Sequence, residues 1–354
     1  MREIQRHINL DALAANFLIL RKLVAQSEVA AVVKADCYGL GVNKIAPALS
    51  NAGCETFYIA TLEEGLQLRQ LLPCASIFVL NGIATYPTER FIEARLTPVL
   101  NSSTDIRRWS RQSGHHPCAI HVDTGMNRLG LSPQELVRLQ GDGETIDQLN
   151  VVLLISHLAC ADEADHPLNV LQLSRFTKVN DLFPAAPSSL ANSSGLFLGP
   201  QYHFQQCRAG AALFGVNPTP GLSNPMQPVL EVTAPVVQIR SNSSGSVGYG
   251  ATAQLKTPKR LAVIAAGYAD GYPRHASNRG QVVINGQMAP LIGRVSMDLI
   301  TVDISHLQSN SIQIGDQALL VGEDYGINEL ANAADTIGYE ILTNLGRHAK
   351  TTYR

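Results

Sequence analysis

The sequence has no long hydrophobic run. Its longest apolar stretches, such as residues 151–155 and 261–266, are far shorter than the roughly 20 residues that a helix needs to cross a bilayer. The first residues, Met-Arg-Glu-Ile-Gln-Arg-His, also lack the basic and then apolar pattern of a secretory signal peptide. We therefore expect no membrane partner and a cytoplasmic protein.

A large excess of charge of either sign is also absent. The 27 Lys and Arg residues and 29 Asp and Glu residues give a net charge of -2, and neither sign forms a long block. Nucleic acids and anionic membranes attract strongly basic surfaces. The charge therefore gives no reason to expect either of them as a partner.

Paired cysteines are a third feature that the sequence lacks. None of the cysteines form a Cys-x-x-Cys pair, and the C-terminal third of the chain has none; they are Cys37, Cys54, Cys74, Cys118, Cys160 and Cys207. This spacing is typical of neither a disulfide framework nor a zinc site. We expect no metal, and a reducing cytoplasm fits.

The chain has 354 residues, which is more than one domain usually holds, and 45% of them are hydrophobic. Two domains with large cores are therefore expected. In the first two-thirds, short apolar runs alternate with amphipathic ones. The predicted strands are residues 30–35, 57–61, 77–81, 97–100, 119–123, 151–157, 189–193 and 206–209, and the clearest predicted helices are 43–52, 62–71, 133–140 and 168–182.

Alternating strands and helices indicate an α/β fold with a parallel sheet, since parallel strands need crossover connections. Eight such units over about two hundred residues predict a (β/α)8 TIM-like barrel over residues 1–226. The first strand of the chain is also compatible with the second domain. The seventh and eighth strand signals are weak.

The pattern changes near Pro225 to β-rich runs broken by turn residues, which predicts a mainly β domain over residues 227–354. Asn285-Gly286 is typical of a hairpin turn. The predicted strands are 230–239, 261–266, 281–284, 299–304 and 318–321, and one amphipathic helix is predicted over 328–345.

A lysine stands where the first of the barrel strands ends. The string Val-Val-Lys-Ala-Asp-Cys-Tyr-Gly-Leu-Gly at 32–41 places Lys34 before a glycine-rich turn. Burial lowers the pKa of a lysine, and a neutral amine can attack a carbonyl to form a Schiff base. Active sites of barrels lie at this end of the strands. From its position alone, however, Lys34 is better explained as a lysine that extends its charge to solvent.

The same string resembles V-K-A-N-A-Y-G-H-G, the cofactor-lysine motif of the alanine racemase family. In that family the lysine holds pyridoxal 5'-phosphate covalently and is one of two catalytic bases, which implies both roles for Lys34. Tyr38 matches the tyrosine that approaches the cofactor phosphate. Asp36, Cys37 and Leu40 depart from the commonest motif, and we expect these positions to affect packing rather than chemistry.

The resemblance covers nearly the whole chain. Residues 8–13 look like the opening strand and helix start of the family, and residues 60–65 look like its second strand–helix junction. The string Val-Asp-Thr-Gly-Met-Asn-Arg-Leu-Gly at 122–130 is a long and specific match, which implies that Arg128 faces the phenolic oxygen of the cofactor and the substrate carboxylate. Arginine suits this role because its planar fork binds a carboxylate through two hydrogen bonds and stays charged.

Two further strings match the family. Ser-His-Leu-Ala at 156–159 implies that His157 hydrogen-bonds the arginine behind the cofactor ring. Ala-Asn-Ser-Ser at 191–194 implies that Ser193 gives its hydroxyl to the phosphate. Taken alone, these residues would be interpreted as a packed histidine and as a turn or helix cap.

The string Cys-Arg-Ala-Gly-Ala-Ala-Leu-Phe-Gly at 207–215 resembles R-P-G-I-x-L-Y-G. It implies that Arg208 faces the pyridine nitrogen and that the backbone N–H groups of Gly210 and Ala211 reach the phosphate. Ala209 replaces a proline and Phe214 replaces a tyrosine, and neither change removes a group that the mechanism needs.

An arginine at the pyridine nitrogen would select the reaction. It is effectively never deprotonated, so it disfavours a proton on the ring nitrogen. The ring is then a weaker electron sink, and a proton returns to Cα quickly. This hypothesis favours racemisation over transamination.

Racemisation needs a second acid or base on the opposite face. Gly-Tyr-Gly-Ala-Thr at 248–252 resembles the family motif S-Y-G-A-T, whose tyrosine is that base and comes from the neighbouring subunit. The resemblance implies a homodimer in which Tyr249 exchanges the proton of L-alanine and Lys34 that of D-alanine. A tyrosine in a tight glycine turn is the better explanation of this string by itself.

The β-rich half holds two more matching strings. Ala-Gly-Tyr-Ala-Asp-Gly-Tyr at 266–272 implies that Tyr268 narrows the substrate channel, which favours a side chain as small as that of alanine. Gly-Arg-Val-Ser-Met-Asp at 293–298 implies that the N–H of Met297 binds the substrate carboxylate and that Asp298 is a structural support.

Two positions depart from the family. Where the family often has a lysine carbamate beside the arginine, this sequence has His121, which cannot supply a negative charge. Either an anion or another carboxylate takes that role, or Arg128 is held differently. The usual C-terminal tyrosine near the phosphate aligns with Arg347, which either binds the phosphate instead or leaves that contact absent.

Other functions remain open from sequence. A barrel decarboxylase or D-amino-acid aldolase would lack the Gly-Tyr-Gly-Ala-Thr string, and a decarboxylase would place a carboxylate at the pyridine nitrogen, so Arg208 and Tyr249 together argue against both. A racemase of broader specificity stays an alternative. A non-catalytic cofactor carrier would not need the β-rich half. The sequence does not reveal whether D-alanine is supplied or broken down.

Overall fold

The computed structural model describes residues 4–24, 26–181, 183, 185–308 and 311–354, apart from the side chains of Gln140 and Asn242. These residues form two sheets of eight strands each. Within this described part of the chain, no helix combines the length and apolar content needed to cross a bilayer.

The first sheet is a parallel barrel. Its strands follow one another in chain order, and the last, Gln206–Ala209, returns to pair with the first, Glu28–Val32. The predicted barrel is therefore confirmed. The strands are Glu28–Val32, Thr56–Ile59, Ser76–Val79, Thr97–Leu100, Pro117–His121, Asn150–Ile155, Ser188–Ser189 and Gln206–Ala209.

The weak seventh strand signal has a structural counterpart. Strand Ser188–Ser189 has only two residues. Backbone bonds close the gap to the eighth strand: the N–H of Gln205 donates to the Ser188 carbonyl (3.1 Å) and that of Arg208 to the Ala191 carbonyl (2.9 Å). The barrel is thus nearly closed, with its least regular pairing beside Arg208.

Helices cover the outside of the barrel, and several of them begin at side-chain caps. Thr61 and Ser132 each form a capping box with the glutamate three residues later, which satisfies N–H groups that the helix leaves unpaired. The helices are Leu10–Val24, Val42–Asn51, Leu62–Leu71, Thr88–Glu93, Ser103–Gln112, Pro133–Gln140, Gly143–Asp147 and Pro167–Asn180. The last was predicted over 168–182, and its predicted end at Leu182 lies outside the described residues.

Side chains fill the barrel interior. Tyr58 and Phe78 stack with ring centroids 4.9 Å apart, and the Tyr58 hydroxyl hydrogen-bonds the Gln206 side chain. The inner core consists of Ala30, Val32, Tyr58, Phe78, Val99, Ala119, Leu153 and Ile155. A packed interior leaves the C-terminal ends of the strands as the place for a ligand.

The second sheet contains both ends of the described chain. Gln5–Ile8 pairs antiparallel with Leu230–Val247 and parallel with Lys350–Tyr353, so the chain starts in this sheet, builds the barrel and then returns. The strands are Gln5–Ile8, Leu230–Val247, Ala253–Ile264, Gln281–Ile284, Gln287–Pro290, Ile300–Asp303, Gln317–Val321 and Lys350–Tyr353. The domain boundary at residue 227 stays a prediction.

The predicted hairpin turn is confirmed. Ile284 pairs with Gln287, and Asn285 and Gly286 both have positive φ angles, of 50° and 73°. This is the backbone that a two-residue hairpin loop requires.

The single C-terminal helix predicted over 328–345 is wrong. Two helices are present, Ile327–Ala333 and Gly338–Asn344. The first ends because Asp335 takes a left-handed conformation (φ 56°) and the Thr336 N–H donates back to the Ala331 carbonyl (3.0 Å). A hydrophobic periodicity does not reveal this break, because the residue that turns the backbone is Asp335 and not a glycine.

Candidate active site

A cavity of about 440 Å³ opens at the C-terminal end of the barrel strands. Lys34, Arg128 and Arg208 lie in its wall together with other predicted site residues. The lining residues are Val32, Lys34, Tyr38, Ala60, Leu80, Asn81, His121, Arg128, Leu129, Ile155, His157, Asn192, Ser193, Arg208, Gly210, Ala211 and Tyr339. The opposite end of the barrel has a cavity of about 630 Å³, which contains none of the predicted site residues.

Lys34 begins a turn of left-handed helix. The strand predicted over 30–35 ends earlier, at Val32, because the next residues leave the extended conformation. Ala35, Asp36, Cys37 and Tyr38 have φ angles between 52° and 56°. This conformation costs L-residues roughly 1–2 kcal/mol each, so contacts elsewhere must hold the turn.

The barrel supplies two of these contacts. The Ala35 N–H donates to Glu64 Oε1 (2.7 Å), and the Val42 N–H donates to Asp36 Oδ1 (2.7 Å). Glu64 Oε2 also accepts the N–H of Ala60 (2.7 Å). One carboxylate therefore fixes the lysine turn to the end of the neighbouring strand.

The second sheet supplies two more contacts that hold the lysine turn. Arg6 Nη2 donates to the Gly39 carbonyl (2.6 Å), and the Tyr353 hydroxyl donates to the Leu40 carbonyl (2.9 Å). A Cβ at Gly41 would lie 2.2 Å from the Tyr353 oxygen, so only glycine fits beneath that hydroxyl. The first and last strands thus brace the lysine turn, and no local sequence signal reveals this.

The Lys34 amine lies in a half-buried, cationic environment. Burial lowers its pKa, the charge of Arg128 lowers it further, and Glu64 acts in the opposite direction. A lowered pKa increases the neutral fraction of the amine near pH 7. The neutral amine is the form that attacks a carbonyl or accepts a proton.

Arg208 is buried and held by neutral groups. Its Nη1 donates to the carbonyl and the hydroxyl of Ser189 (2.9 and 2.6 Å), and its Nη2 donates to the Ser156 carbonyl (2.6 Å) and His157 Nδ1 (3.1 Å). Burial lowers its pKa, yet a guanidinium stays protonated in proteins. The site therefore contains a fixed positive charge that no carboxylate among these partners neutralises.

The bond to Arg208 determines the tautomer of His157. A guanidinium only donates, so Nδ1 of the histidine is the acceptor and Nε2 carries the hydrogen. Burial and the charge of Arg208 lower the pKa of His157 well below its usual value, so the ring is neutral. The predicted histidine–arginine contact is present in this geometry.

Ser193 holds the backbone of residues 210–212 in the cavity wall. Its Oγ accepts the N–H groups of Gly210 (2.9 Å) and Ala212 (3.3 Å), so its own hydrogen can donate elsewhere. The Gly210 N–H, predicted to face a phosphate, donates to Ser193 here. A Cβ at Gly210 would lie 2.4 Å from the Tyr38 oxygen, so this glycine provides the space for the phenol.

Tyr38 belongs to an aromatic group beside this cavity. Its ring lies 5.0 Å from that of Phe214 and 6.2 Å from that of Tyr339. Sequence reasoning missed Tyr339, in the helix Gly338–Asn344, because it aligned the C-terminal tyrosine of the family with Arg347, three residues beyond the end of that helix. Arg347 is not one of the described residues that line this cavity. It lines two other cavities instead.

The loop that carries Arg128 is built around Asp123. The two carboxylate oxygens of Asp123 accept the N–H groups of Gly125, Met126 and Asn127 at 2.8, 2.8 and 2.9 Å. This turn presents the exposed side chain of Arg128 at the cavity rim. In the string at 122–130, the carboxylate of Asp123 thus accepts hydrogen bonds from successive backbone N–H groups and fixes the shape of the loop.

Gln172 is a second residue that sequence reasoning missed. Its fully buried amide donates to Thr124 Oγ1 (3.1 Å) and to the His157 carbonyl (2.9 Å), and it accepts the N–H of Ala159 (2.9 Å). It therefore joins the Arg128 loop to the end of the His157 strand. A polar residue on the buried face of an amphipathic helix was the available signal.

Tyr249 lies away from this cavity in the single chain. It is 72% exposed, and two other predicted residues of the β-rich half, Met297 (54%) and Tyr268 (44%), are also exposed. Backbone bonds join Tyr268 to Ser296 (3.1 Å) and Ala269 to Met297 (2.9 Å), which places Tyr268 and Met297 on adjacent loops.

The Tyr249 turn packs on the same loops. A Cβ at Gly248 would lie 3.2 Å from the backbone nitrogen of Arg294, and Gly248 and Gly250 have φ angles of 71° and 70°. Asp298 follows Met297 in the exposed loop. The predicted residues thus form two groups, one in the barrel cavity and one on the exposed surface of the second sheet.

Known families match both halves of the chain. The model of the alanine racemase N-terminal domain matches residues 8–218, and that of the C-terminal domain matches residues 229–353. The chain belongs to the alanine racemase family. It is therefore an isomerase by family, as the sequence resemblance predicted.

Individual alanine racemases are similar over nearly their full length. One from Rhodospirillum rubrum is 44% identical over 98% of this chain and 94% of its own. A catabolic alanine racemase from Agrobacterium fabrum is also 44% identical, over 98% of this chain and 91% of its own. The crystal structure of alanine racemase from Bartonella henselae, with covalently bound pyridoxal phosphate, superposes with a TM-score of 0.94 at 39% identity and covers 99% of both chains.

Proposed function

We propose that this protein interconverts L-alanine and D-alanine with pyridoxal phosphate held at Lys34. The supporting observation is the half-buried Lys34 amine, whose pKa is lowered, in a cavity at the C-terminal end of the barrel. The relatives named alanine racemase support the reaction, and the bound cofactor of the Bartonella protein supports the cofactor.

The donor groups of the cavity fit this cofactor. The hydroxyls of Tyr38 and Ser193 and the backbone of Ala211 lie at one end, where they suit a phosphate, and the Lys34 amine suits the aldehyde. Arg208 lies buried behind the cavity and suits a ring nitrogen. The volume of about 440 Å³ suits a substituted pyridine with a small amino acid.

When bound, pyridoxal phosphate withdraws electrons from an attached amino acid and makes its Cα–H acidic. Lys34 then removes or returns the Cα proton on the face that belongs to D-alanine. Arg128 binds the substrate carboxylate at the cavity rim, together with the N–H of Met297 from a second copy of the chain. Asp298 supports the Met297 loop.

Arg208 selects racemisation. A permanent cation at the ring nitrogen disfavours its protonation, so the Cα proton is returned quickly. The neutral partners of Arg208 support this role, since no carboxylate among its hydrogen-bond partners offsets the charge.

Tyr249 is the base for L-alanine and comes from a second copy of the chain. Its high exposure, and that of Met297 and Tyr268, supports an interface in which the surface of the second sheet covers the cavity of a partner. Tyr268 then narrows the entrance and favours the methyl side chain of alanine. The Nε2–H of His157 is available to hydrogen-bond the incoming phenol.

Chiral chromatography tests the function. Purified, cofactor-loaded protein incubated with L-alanine should yield D-alanine until the two isomers are equal. L-Serine in a parallel reaction distinguishes a narrow alanine racemase from one of broader specificity. A yellow, cofactor-loaded protein that forms no D-alanine would overturn the proposal.

A further inference from the structure

His121 ends the strand Pro117–His121, and its buried side chain lines the same cavity as Arg128. His121 stands at the position where the family often has a negatively charged lysine carbamate beside the arginine that aligns with Arg128. The nearest carboxylate along the chain, Asp123, accepts three backbone N–H groups and is committed to the loop. Among the described residues no hydrogen bond reaches the Arg128 side chain, so a partner for it must be sought in the wall of the cavity.

Asn101 determines which nitrogen of His121 carries the hydrogen. The Asn101 amide nitrogen donates to the carbonyls of Leu80 (2.9 Å) and Val99 (3.0 Å), which uses both of its N–H bonds. Its oxygen therefore faces His121 Nδ1, 2.8 Å away. Because that oxygen can only accept, Nδ1 is protonated, and a neutral ring presents the lone pair of Nε2.

The surroundings keep the His121 ring neutral. Burial and the charges of Arg208 and Arg128 lower its pKa to about 4, while Asp123 acts in the opposite direction. His157, the other ionisable ring nearby, is itself neutral. A depressed pKa means that the protonated form appears only in acid, so near pH 7 Nε2 is an acceptor.

The ring edge that contains Nε2 faces the Arg128 loop. The neighbouring carbon, Cδ2, lies 3.1 Å from where a Cβ on Gly130 would stand, and Gly130 is two residues beyond Arg128. The loop then returns to the strand, where the Leu131 N–H donates to the His121 carbonyl (2.8 Å). Arg128 and Leu129 of this loop both line the cavity, and of the two side chains only that of Arg128 has hydrogen-bond donors.

We propose that in the cofactor-loaded enzyme His121 Nε2 accepts a hydrogen bond from the Arg128 guanidinium and so positions it for the substrate carboxylate. His121 is a positioning residue that acts through Arg128, and Asn101 supports it by fixing the tautomer. A neutral acceptor orients the guanidinium without reducing its positive charge. The pairing contains no carbon dioxide adduct, so activity should not depend on added bicarbonate.

Nitrogen-15 NMR of the histidine rings in the cofactor-loaded protein tests the tautomer directly. His121 Nε2 should show the shift of an unprotonated nitrogen from pH 6 to 8, while Nδ1 stays protonated. Asn101→Leu should abolish this preference, and Asn101→Asp should retain it. A protonated Nε2 in the wild-type protein would overturn the proposal, whether or not the protein racemises alanine.

Kinetics test the positioning role, which rests on the proposed function. His121→Leu should raise the KM for alanine about tenfold, the effect of losing one hydrogen bond to a charged group, with a smaller change in kcat. His121→Gln supplies another neutral acceptor and should recover most of the loss. In an Arg128→Lys background, His121→Leu should have little further effect. An unchanged KM in a folded, cofactor-loaded His121→Leu variant would refute the role of His121 and leave the racemase activity intact.

Discussion

The positively charged side chains of the cavity have few negative groups beside them, and the hydrogen-bond partners of Arg208 are all neutral. Lys34, Arg128 and Arg208 are cations in one wall, and the groups that bond Arg208 are carbonyls, a hydroxyl and a neutral imidazole. Such a site remains positive and attracts an anionic ligand. Burial, together with these positive charges, lowers the pKa values of both Lys34 and His157.

Some residues of the candidate site could be predicted from the sequence and others could not. The cofactor lysine and both arginines stand in strings that are contiguous in the chain, so a family resemblance identifies them. Tyr339 and Gln172 act through contacts with residues that are distant in sequence, and a short motif contains no record of such contacts.

Gly210→Ala should disrupt the phosphate end of the cavity. The new methyl group would lie 2.4 Å from the Tyr38 oxygen, and that ring cannot swing away because Phe214 packs on it. We expect a loss of about 1–3 kcal/mol in the free energy of unfolding, the usual effect of overpacking, and weaker cofactor binding. Thermal melts and cofactor titration measure both.

A matched control is Gly143→Ala, because nothing lies within 4 Å of a Cβ at Gly143. This variant should keep wild-type cofactor binding. Tyr38→Phe combined with Gly210→Ala removes the clashing oxygen and should recover part of the lost stability. Equal melting temperatures for Gly210→Ala and the wild type would contradict the steric argument.

Among the elements, the left-handed turn Lys34–Tyr38 departs furthest from what sequence patterns predict. A periodicity of apolar residues extends the strand to residue 35, whereas the backbone leaves the strand after Val32. The turn exists because four side chains hold it, and two of them, Arg6 and Tyr353, come from strands of the other sheet. The first six barrel strands were predictable because burial imposes a local pattern on their sequences, whereas the seventh and eighth signals were weak and the lysine turn has no such pattern.

Tyr353→Phe should loosen the lysine turn. The change removes one hydroxyl bond to the Leu40 carbonyl and leaves that carbonyl unpaired. We expect a loss of about 1 kcal/mol in stability and a several-fold weaker affinity for pyridoxal phosphate, measured by absorbance titration.

The control for this change is Thr352→Val in the same strand. Its hydroxyl bonds the His7 ring (2.6 Å) and the Arg6 carbonyl (3.5 Å) and makes no bond to a residue of the lysine turn. A comparable stability loss with unchanged cofactor affinity is expected. If both variants weakened cofactor binding equally, the bond from the Tyr353 hydroxyl to the Leu40 carbonyl would have no specific effect on the lysine turn.

In the whole molecule, the residues proposed for chemistry lie on two separate surfaces. One copy has Lys34 in a cavity of the barrel and Tyr249 on the exposed surface of the second sheet. The two-domain architecture was predictable because strand spacing and turn chemistry change near residue 225. How one copy meets another was not predictable from local patterns, and the dimer was expected only from the family resemblance.

Mixing two inactive variants tests the shared site. Lys34→Ala and Tyr249→Phe chains, co-expressed with different tags, should form mixed dimers in which one site has both native bases. Random pairing places one intact site in half of the dimers, so about a quarter of wild-type activity should return. Two differently tagged Lys34→Ala chains serve as the control and should stay inactive. Mixed dimers without activity would contradict donation of Tyr249 by the partner.

The pairing of Gln5–Ile8 with Lys350–Tyr353 has a consequence for biosynthesis. A ribosome makes the barrel before the final strand emerges, so during translation the nascent Lys34 turn has Arg6 but not Tyr353 to hold it. The enzyme should therefore capture its cofactor firmly only after the strand Lys350–Tyr353 has emerged and paired. A chain that lacks this strand should form a barrel and yet retain pyridoxal phosphate poorly.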